Sequence, residues 1–275
     1  MKNKKTILAI SLIILILLFS VFLFYKENKD TTLSENLSKA NFKEESFSES
    51  NDFYTIKASY PSHSFDKDGD MKKFVDAWIN KAKEDWKKGG EMYNDQKALE
   101  ARFPDMSKMK FEMILSYATG TSPKLGTVSY LLSKYEFTGG AHGDTIIATF
   151  SFNNDGLIGI EKILNLSENG NDISLTKILK SSLVSSISEE SLSMDMMDNG
   201  LGLAYLREDG TFDNEKCGCD GFLFASNFQN FIILDEGIKF IMNKYQVGPG
   251  TLGNPATIIP WTVLKPFLNK DFVLP

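Results

Sequence analysis

Residues 127–153 read TVSYLLSKYEFTGGAHGDTIIATFSFN, and this stretch decides the fold. Two runs rich in β-branched and aromatic residues, 128–138 and 144–153, flank a segment dominated by glycine. Runs of this composition predict β-strands. The sequence Asn-Asn-Asp-Gly at 153–156 then supplies a hairpin turn into LIGIEKIL at 157–164. We therefore expect successive antiparallel strands here.

Further strands are predicted on both sides of this stretch. FYTIKASYP at 53–61 alternates apolar and polar residues, and KFEMILSYAT at 110–119 is rich in β-branched and aromatic residues. Towards the C-terminus, 228–247 contains two strands joined across Asp235-Glu236-Gly237.

Two main helices are predicted beside these strands. Apolar residues three and four apart indicate one helix from Met71 to about Lys88, behind an Asp cap in 68–70, with Gly89-Gly90 ending or breaking it. A polar helical piece follows at 91–102, a second main helix at 174–193 and a short one at 263–268. Helices in separate blocks around hairpin-linked strands indicate an α+β fold, an antiparallel sheet with two main helices packed on it.

An apolar run precedes this domain. From Thr6 to Tyr25 the chain has twenty residues without charge, glycine or proline. At about 1.5 Å per residue a helix of that length spans a hydrocarbon core of roughly 30 Å. The run ends in bulky residues, Phe22 to Tyr25, which offer no small-residue cleavage site. We therefore expect an uncleaved transmembrane anchor rather than a cleaved signal peptide. The basic residues before it, Lys2, Lys4 and Lys5, predict a cytoplasmic N-terminus and an extracytoplasmic remainder.

The expected organisation has four parts. Residues 1–5 are a cytoplasmic stub, 6–25 the transmembrane helix, 26–52 a flexible tether and 53–275 the extracytoplasmic domain. The tether is rich in Lys, Glu, Ser, Asn and Thr without a sustained apolar period. Leu33 and Leu37, four residues apart, leave open a short amphipathic helix at the membrane surface.

Composition excludes several classes of protein. The 275 residues carry a net charge of −6, and beyond the apolar run 27 basic face 36 acidic side chains, a charge of −9. Nucleic acid is not an expected partner, because neutralising phosphates requires a basic face. Two cysteines cannot build a disulfide framework or a four-thiolate zinc site. The chain also lacks the glycine-rich phosphate loops and the G-x-S-x-G nucleophile elbow.

The segment from Tyr135 to Asp144, YEFTGGAHGD, resembles the Y-x-Y-x-G-G-A-H-G signature of the bacterial DUF4163/DUF3298 domain pair. A second stretch is similar to the closing pattern of DUF3298, in which a strand pair and a Y-x-V-x-P-x-x-x-G loop precede a final helix. It runs from Asn227 through Tyr245-Gln246-Val247-Gly248-Pro249-Gly250 to Ile259-Pro260-Trp261. Two departures are Phe137, in place of the second Tyr, and the loop sequence Gly-Pro-Gly-Thr-Leu-Gly. The resemblance covers about Phe53 to Leu268.

This domain pair forms the extracytoplasmic part of PdaC-type peptidoglycan deacetylases and of the RsiV-type anti-sigma factor. In the deacetylases, catalysis belongs to a separate NodB-type domain with Asp and His metal ligands, whereas this chain has only His63 and His142. The anti-sigma factor holds its sigma factor through a cytoplasmic segment, whereas five residues precede the apolar run here. That relative is also a receptor for lysozyme, a cationic protein that a domain of charge −9 would suit.

The resemblance therefore implies a membrane-anchored binding or sensing module for cell-wall glycan or for a wall-acting protein such as lysozyme. We expect no cofactor, no metal and no catalytic residue. The expected binding residues are Tyr135, Gly139, Gly140, His142, Gly143 and Asp144. One alternative is a cell-wall polysaccharide hydrolase or deacetylase that uses His142 and Asp144. Another is an accessory protein that requires a partner encoded nearby.

Two of these features also have structural interpretations. The three glycines favour a tight irregular turn, within which the ring of His142 can hydrogen-bond backbone groups. In the functional interpretation, His142 and Asp144 lie on an exposed loop that contacts a glycan or a protein. Cys217-Gly218-Cys219 is too short for a C-x-x-C redox motif and can close a small disulfide or remain as two thiols.

Overall fold

The computed structural model describes residues 42–93, 110–139, 142–168, 170–187, 193–218 and 223–274. The predicted cytoplasmic stub and transmembrane helix, and residues 26–41 of the predicted tether, lie outside the described residues. Within these ranges, no helix has both the length and the apolar character needed to cross a membrane.

The larger sheet has six strands that neighbour one another in chain order. They are β1 (Lys43–Ser50), β2 (Tyr54–Ser62), β3 (Phe111–Ser122), β4 (Thr127–Phe137), β5 (Asp144–Asn153) and β6 (Gly156–Leu157). Strands β2 and β3 are parallel and the other pairs are antiparallel. The prediction of a purely antiparallel sheet is therefore wrong at β2 and β3. A parallel pair requires a long crossover, and the first helix lies between these two strands in the chain.

That helix, α1 (Asp70–Tyr93), covers one face of the larger sheet. Its buried side chains repeat every three or four residues and pack on apolar residues of β2 to β5; they are Met71, Val75, Ile79, Ala82 and Trp86. The carboxylate of Asp66, and not an Asp within 68–70, accepts a hydrogen bond from the Asp70 amide at 2.8 Å. The helix also continues through Gly89-Gly90 instead of ending there.

Strand β1 lies in residues that the sequence pattern assigned to the tether. It pairs with β2 over its whole length, so the folded domain begins at least ten residues before Phe53. Phe47 packs on the core around α1, and Lys83 Nζ lies 4.5 Å above its ring. Because β1 is an outer strand with largely exposed Lys, Glu and Ser residues, it lacks the apolar alternation that identifies a half-buried strand.

The predicted strand at 157–164 is formed only at its start. After β6 the chain turns into a short helix, α2 (Ile160–Ile163). Leu164 then pairs with Leu268, and the Asn165 amide donates to the carbonyl of Phe267 at 2.8 Å. This segment therefore joins the C-terminal end of the chain and not the larger sheet.

The smaller sheet has three antiparallel strands, β7 (Phe231–Ile233), β8 (Gly237–Ile241) and β9 (Ala256–Pro260). Strands β7 and β8 are the predicted pair across 235–237. Helix α3 (Asn171–Ser186), the second predicted main helix, packs Leu175, Leu179 and Leu183 into the core of this part. Shorter helices complete it: α4 (Met194–Gly200), α5 (Asn214–Cys217) and α6 (Trp261–Leu264), the last extended by a 3₁₀ turn at Lys265–Phe267.

The two sheets meet through β7. Ile147 of β5, Ile232 of β7 and Ile241 of β8 form an apolar contact between them. Two β7 amides donate to hydroxyls of the larger sheet, Phe231 to Thr149 at 2.9 Å and Ile233 to Ser129 at 3.1 Å. One helix covers the core of each sheet, and together they give the mixed α+β domain.

Candidate functional site

The predicted signature residues lie at the turn that joins β4 to β5. Tyr135 is near the end of β4 and pairs with Thr145 of β5. Gly139 has a φ of +88°, in the region that favours glycine. Gly140 lies outside the described residues. The turn brings Tyr135, His142, Gly143 and Asp144 to one end of the larger sheet.

The side chain of Tyr135 packs directly on the backbone of Gly143. A Cβ placed on Gly143 would lie 2.4–2.5 Å from the ring and hydroxyl atoms of Tyr135, closer than van der Waals contact allows. Gly143 therefore has no side chain because a tyrosine occupies that space. This contact explains two signature residues by packing and fixes the path of the chain on either side of His142.

His142 is exposed beside this contact. Its Nδ1 lies 3.0 Å from the carbonyl oxygen of Gly143. Because a carbonyl can only accept, this bond places a proton on Nδ1 and leaves Nε2 as the acceptor of a neutral ring. The bond is of the kind that the structural interpretation predicts, while the outer part of the ring remains available to a ligand.

Asp144 links the turn to a distant loop. Its Oδ1 accepts hydrogen bonds from Lys244 Nζ and from the amide of Thr145, both at 2.9 Å. The hydrogen bond from Lys244 lowers the pKa of Asp144, and the Asp144 carboxylate raises the pKa of Lys244. Both groups are therefore charged at neutral pH. The Asp144 side chain is 59% exposed and the Lys244 side chain 17%, so the carboxylate faces solvent while the lysine is partly covered.

The distant loop, residues 244–250, belongs to the stretch that resembles the closing pattern of DUF3298, and we call it the tyrosine loop. Tyr245 has a φ of +66°, the only positive φ of a non-glycine residue among the described residues. Its ring packs on Gly250, and the ring centroid lies 5.0 Å from Lys244 Nζ. Tyr245 is 53% exposed. Tyr245 belongs to the stretch that resembles DUF3298, but it was not among the predicted binding residues. Lys244 was not predicted as a site residue.

Buried polar groups hold this loop in place. The side-chain amide of Gln246 donates to the Oδ1 of Asn227 at 3.1 Å, and Asn227 is 2% exposed. Asn227 in turn donates to Thr176 Oγ1 and to the carbonyl of Leu201. The carbonyl oxygen of Gln246 lies so close to Gly200 that a Cβ there would approach it to 1.5 Å. The loop is therefore fixed on both sides of Tyr245, which can maintain its unfavourable backbone conformation.

We call the exposed group formed by His142, Asp144, Lys244 and Tyr245 the signature surface. It offers an aromatic ring, a carboxylate, an ammonium and an imidazole. Acid–base catalysis would require a free carboxylate or an orienting acid near His142. Asp144, the adjacent carboxylate, is instead paired with Lys244. Across the described ranges, no group of three or more His, Cys, Asp or Glu side chains is arranged to hold a metal ion.

The two cysteines, Cys217 and Cys219, are not part of the signature surface. Cys217 ends helix α5 and is disulfide-bonded. Cys219 lies outside the described residues. Of the two states that the sequence left open for this segment, the structure has the disulfide at Cys217.

Two family models match the chain in series. Residues 47–145 match the model described as Deacetylase PdaC, and residues 180–262 match the model described as a protein of unknown function, DUF3298. The first match ends just after Asp144, and the second includes Lys244 and Tyr245. The signature surface thus takes residues from both regions. No curated protein matches the chain.

Solved structures of DUF3298 family proteins resemble this one. The chain is similar to such a protein from Bacteroides fragilis, with a TM-score of 0.52 and 16% identity over 85% of this chain and 95% of that chain. It also matches one from Pseudomonas aeruginosa, with a TM-score of 0.48 and 13% identity over 84% of this chain and 95% of that chain. The Bacteroides fragilis comparison shows a shared fold.

Proposed function

Because this chain belongs to the family that joins a PdaC-type domain to a DUF3298 domain, we propose that it is a non-enzymatic, extracytoplasmic module that binds cell-wall glycan. The proposed binding site is the signature surface, supported at its base by Tyr135 and Gly143. The transmembrane helix predicted at 6–25 would hold the domain on the outer side of the membrane.

One observation carries this proposal: the two family signatures, a hundred residues apart, meet through the hydrogen bond from Lys244 to Asp144. Beside the meeting point, the exposed Tyr245 has a strained backbone with a φ of +66°. Strained residues persist where the surrounding structure fixes them, often at binding sites. We therefore assign this fixed conformation to ligand contact.

The chemistry of the surface suits a glycan. The exposed ring of Tyr245 can pack on the apolar face of a sugar ring, while its hydroxyl remains available for a hydrogen bond. The carboxylate of Asp144 accepts hydrogen bonds from hydroxyl groups, and Lys244 and His142 complete a mixed set of donors and acceptors. The opposite charges of Asp144 and Lys244 partly cancel, which favours a ligand without a strong net charge.

The proposal is tested by pulling down the full chain with purified insoluble peptidoglycan. We expect the wild-type chain to bind, and Tyr245→Ala and Asp144→Asn to bind more weakly. Phe53→Ala is the control for the tyrosine, because Phe53 is also aromatic and 44% exposed. Asp85→Asn is the control for the aspartate, because Asp85 is also an exposed carboxylate that accepts a hydrogen bond from a lysine, Lys81 Nζ, at 2.8 Å.

Lysozyme provides a second arm of the experiment. Binding of lysozyme in place of peptidoglycan, lost in the same two variants, would replace the glycan by a cationic protein as the ligand of this surface. Retention of peptidoglycan no greater than that of a charge-matched unrelated protein would contradict the proposal. If the chain turned over a chitooligosaccharide and His142→Ala abolished the activity without unfolding the domain, the non-enzymatic assignment would be wrong.

A further inference from the structure

A cavity of about 380 Å³ lies where strands β2 and β3 separate. The two strands pair only as far as Ala58 and Leu115. Beyond these residues β2 continues along β1 to Ser62, and β3 continues along β4 to Ser122. The larger sheet is therefore split at this end, and side chains from both sides of the split line the cavity.

The lining combines aromatic and hydroxyl groups. Tyr117, Thr119 and Thr121 follow one another on alternate positions of β3, and Phe42 and Glu44 lie across the split. The hydroxyl of Tyr117 donates to the carboxylate of Glu44 at 3.2 Å, which spans the split. The volume lies at the lower end of the range of small-ligand sites, about 300–1,000 Å³, so the cavity suits one or two rings.

A buried hydroxyl in this lining has no hydrogen-bond partner among the residues that the structure describes. Tyr130 of β4 is 1% exposed, and its hydroxyl makes no hydrogen bond to any described residue. Behind it lies His63, 7% exposed, whose ring centroid is 5.2 Å from that of Tyr130 and 5.7 Å from that of Phe42, another lining residue. His63 Nδ1 accepts from the Phe65 amide at 3.2 Å, so Nε2 carries the proton, and it too lacks a partner.

Such buried polar groups are unfavourable unless something hydrogen-bonds to them. We propose that this cavity binds a neutral sugar ring whose hydroxyl groups satisfy Tyr130. Tyr117 and Phe42 supply apolar surface for the C–H face of the ring, and Thr119 and Thr121 supply donors and acceptors for its rim. The two charged lining residues do not call for a charged ligand, because Lys43 Nζ pairs with Glu45 at 3.1 Å and the Glu44 carboxylate accepts the Tyr117 hydroxyl.

The cavity is separate from the signature surface. Tyr130 and Tyr135 are five residues apart on β4, a distance of about 17 Å along the strand, and their side chains point to opposite faces. The proposal therefore does not depend on what the signature surface binds, and variants at the two places can be compared.

The test is a titration of the full chain, in a detergent without a sugar headgroup, with N-acetylglucosamine and its β-1,4-linked dimer, followed by NMR. Tyr130→Phe removes only the unpaired hydroxyl, so we expect a midpoint of thermal unfolding no lower than that of the wild-type chain and about tenfold weaker sugar binding. Thr119→Val also removes a lining hydroxyl and should weaken binding in the same way. It should keep the fold, because Thr119 is exposed and valine is close to threonine in shape. Phe53→Ala, which removes an exposed aromatic ring that lines neither the cavity nor the signature surface, should leave this affinity unchanged.

Several outcomes would overturn the proposal. One is a wild-type chain that binds neither sugar, which would leave water as the partner of Tyr130. Another is Tyr130→Phe with wild-type sugar affinity. Tighter binding of octanoate or of cationic glucosamine than of N-acetylglucosamine would reject the neutral sugar as the ligand class. Loss of sugar binding in Tyr245→Ala but not in Tyr130→Phe would assign all binding to the signature surface.

Discussion

Lys244 Nζ donates a hydrogen bond to Asp144 Oδ1 at 2.9 Å, and this contact joins the turn after β4 to the tyrosine loop. The pair lies at the surface, with the Asp144 side chain 59% and the Lys244 side chain 17% exposed, and surface pairs contribute little to stability because solvent screens them. We expect a double-mutant cycle of Asp144→Asn and Lys244→Met to give a coupling of about 0.2–1 kcal/mol in the free energy of unfolding. Added salt should reduce this coupling.

The same cycle measured on peptidoglycan binding should give a larger coupling, because the ligand would contact both groups. Equal coupling energies for unfolding and for binding would indicate that the pair only maintains the loop. Lys81 and Asp85 on α1 provide the matched control, since their cycle should affect unfolding alone.

The backbone of Tyr245 leads to a second prediction. Glycine adopts a φ of +66° without the steric conflict that a Cβ causes, so Tyr245→Gly should be more stable than Tyr245→Ala by about 1 kcal/mol. Both variants lose the ring, so both should bind peptidoglycan poorly. Urea unfolding of the two variants measures the difference, and equal stabilities would show that the loop relaxes when the tyrosine is removed.

A third prediction concerns the hydroxyls between the two sheets. Ser129 Oγ is fully buried, accepts the Ile233 amide at 3.1 Å and lies 2.8 Å from Ser151 Oγ. Ser129→Ala leaves that amide buried without an acceptor, which should lower the free energy of unfolding by about 1–3 kcal/mol. Ser48→Ala, at an exposed position of β1, should change it by less than about 0.5 kcal/mol. Similar small losses in both variants would mean that another group replaces the acceptor.

His63 predicts a dependence of stability on pH. Burial lowers the pKa of His63 below its ordinary value of 6.5, and the negative charge of Asp66 offsets only part of this effect. The unfolded chain therefore binds a proton at a pH where the folded chain does not. The stability is fully present above about pH 6.5 and is lost as the pH falls towards the pKa in the folded state, by at most about 1.4 kcal/mol per pH unit.

Urea unfolding between about pH 7.5 and 5.5 measures this loss. His63→Phe should flatten the pH dependence, because it removes the titrating group and keeps an aromatic ring in the cluster. His142→Ala retains His63 and serves as the control that should keep the wild-type slope. A slope in His63→Phe as steep as that of the wild-type chain would assign the dependence to carboxylates.

The sequence predicted the elements of the fold better than their arrangement. Alternation and β-branched composition located β2 to β5, β7 and β8, and helical spacing located α1 and α3. Strand β1 was missed because Phe47 is its only large apolar residue. The parallel pairing of β2 with β3 was missed because side-chain periodicity identifies a strand but does not give the direction of its neighbour.

The candidate site was also predicted only in part. The three glycines predicted a tight turn, because such a turn has a local sequence signal. Lys244 carries no local signal, since its partner is a hundred residues away and is brought to it by the packing of the two sheets. The unpaired hydroxyl of Tyr130 could not be predicted either, because the split between β2 and β3 depends on where pairing stops.

The two hydrogen bonds from β7 amides to Thr149 and Ser129 also have a consequence for the edge of the smaller sheet. Strand β7 is the first strand of a three-stranded sheet, and on its outer side such a strand would present open amides to any extended chain nearby. Hydroxyls from the larger sheet cover Phe231 and Ile233 instead. The larger sheet therefore covers this edge of the smaller sheet, and residues 180–262 produced alone would leave the two amides open to pairing with another chain.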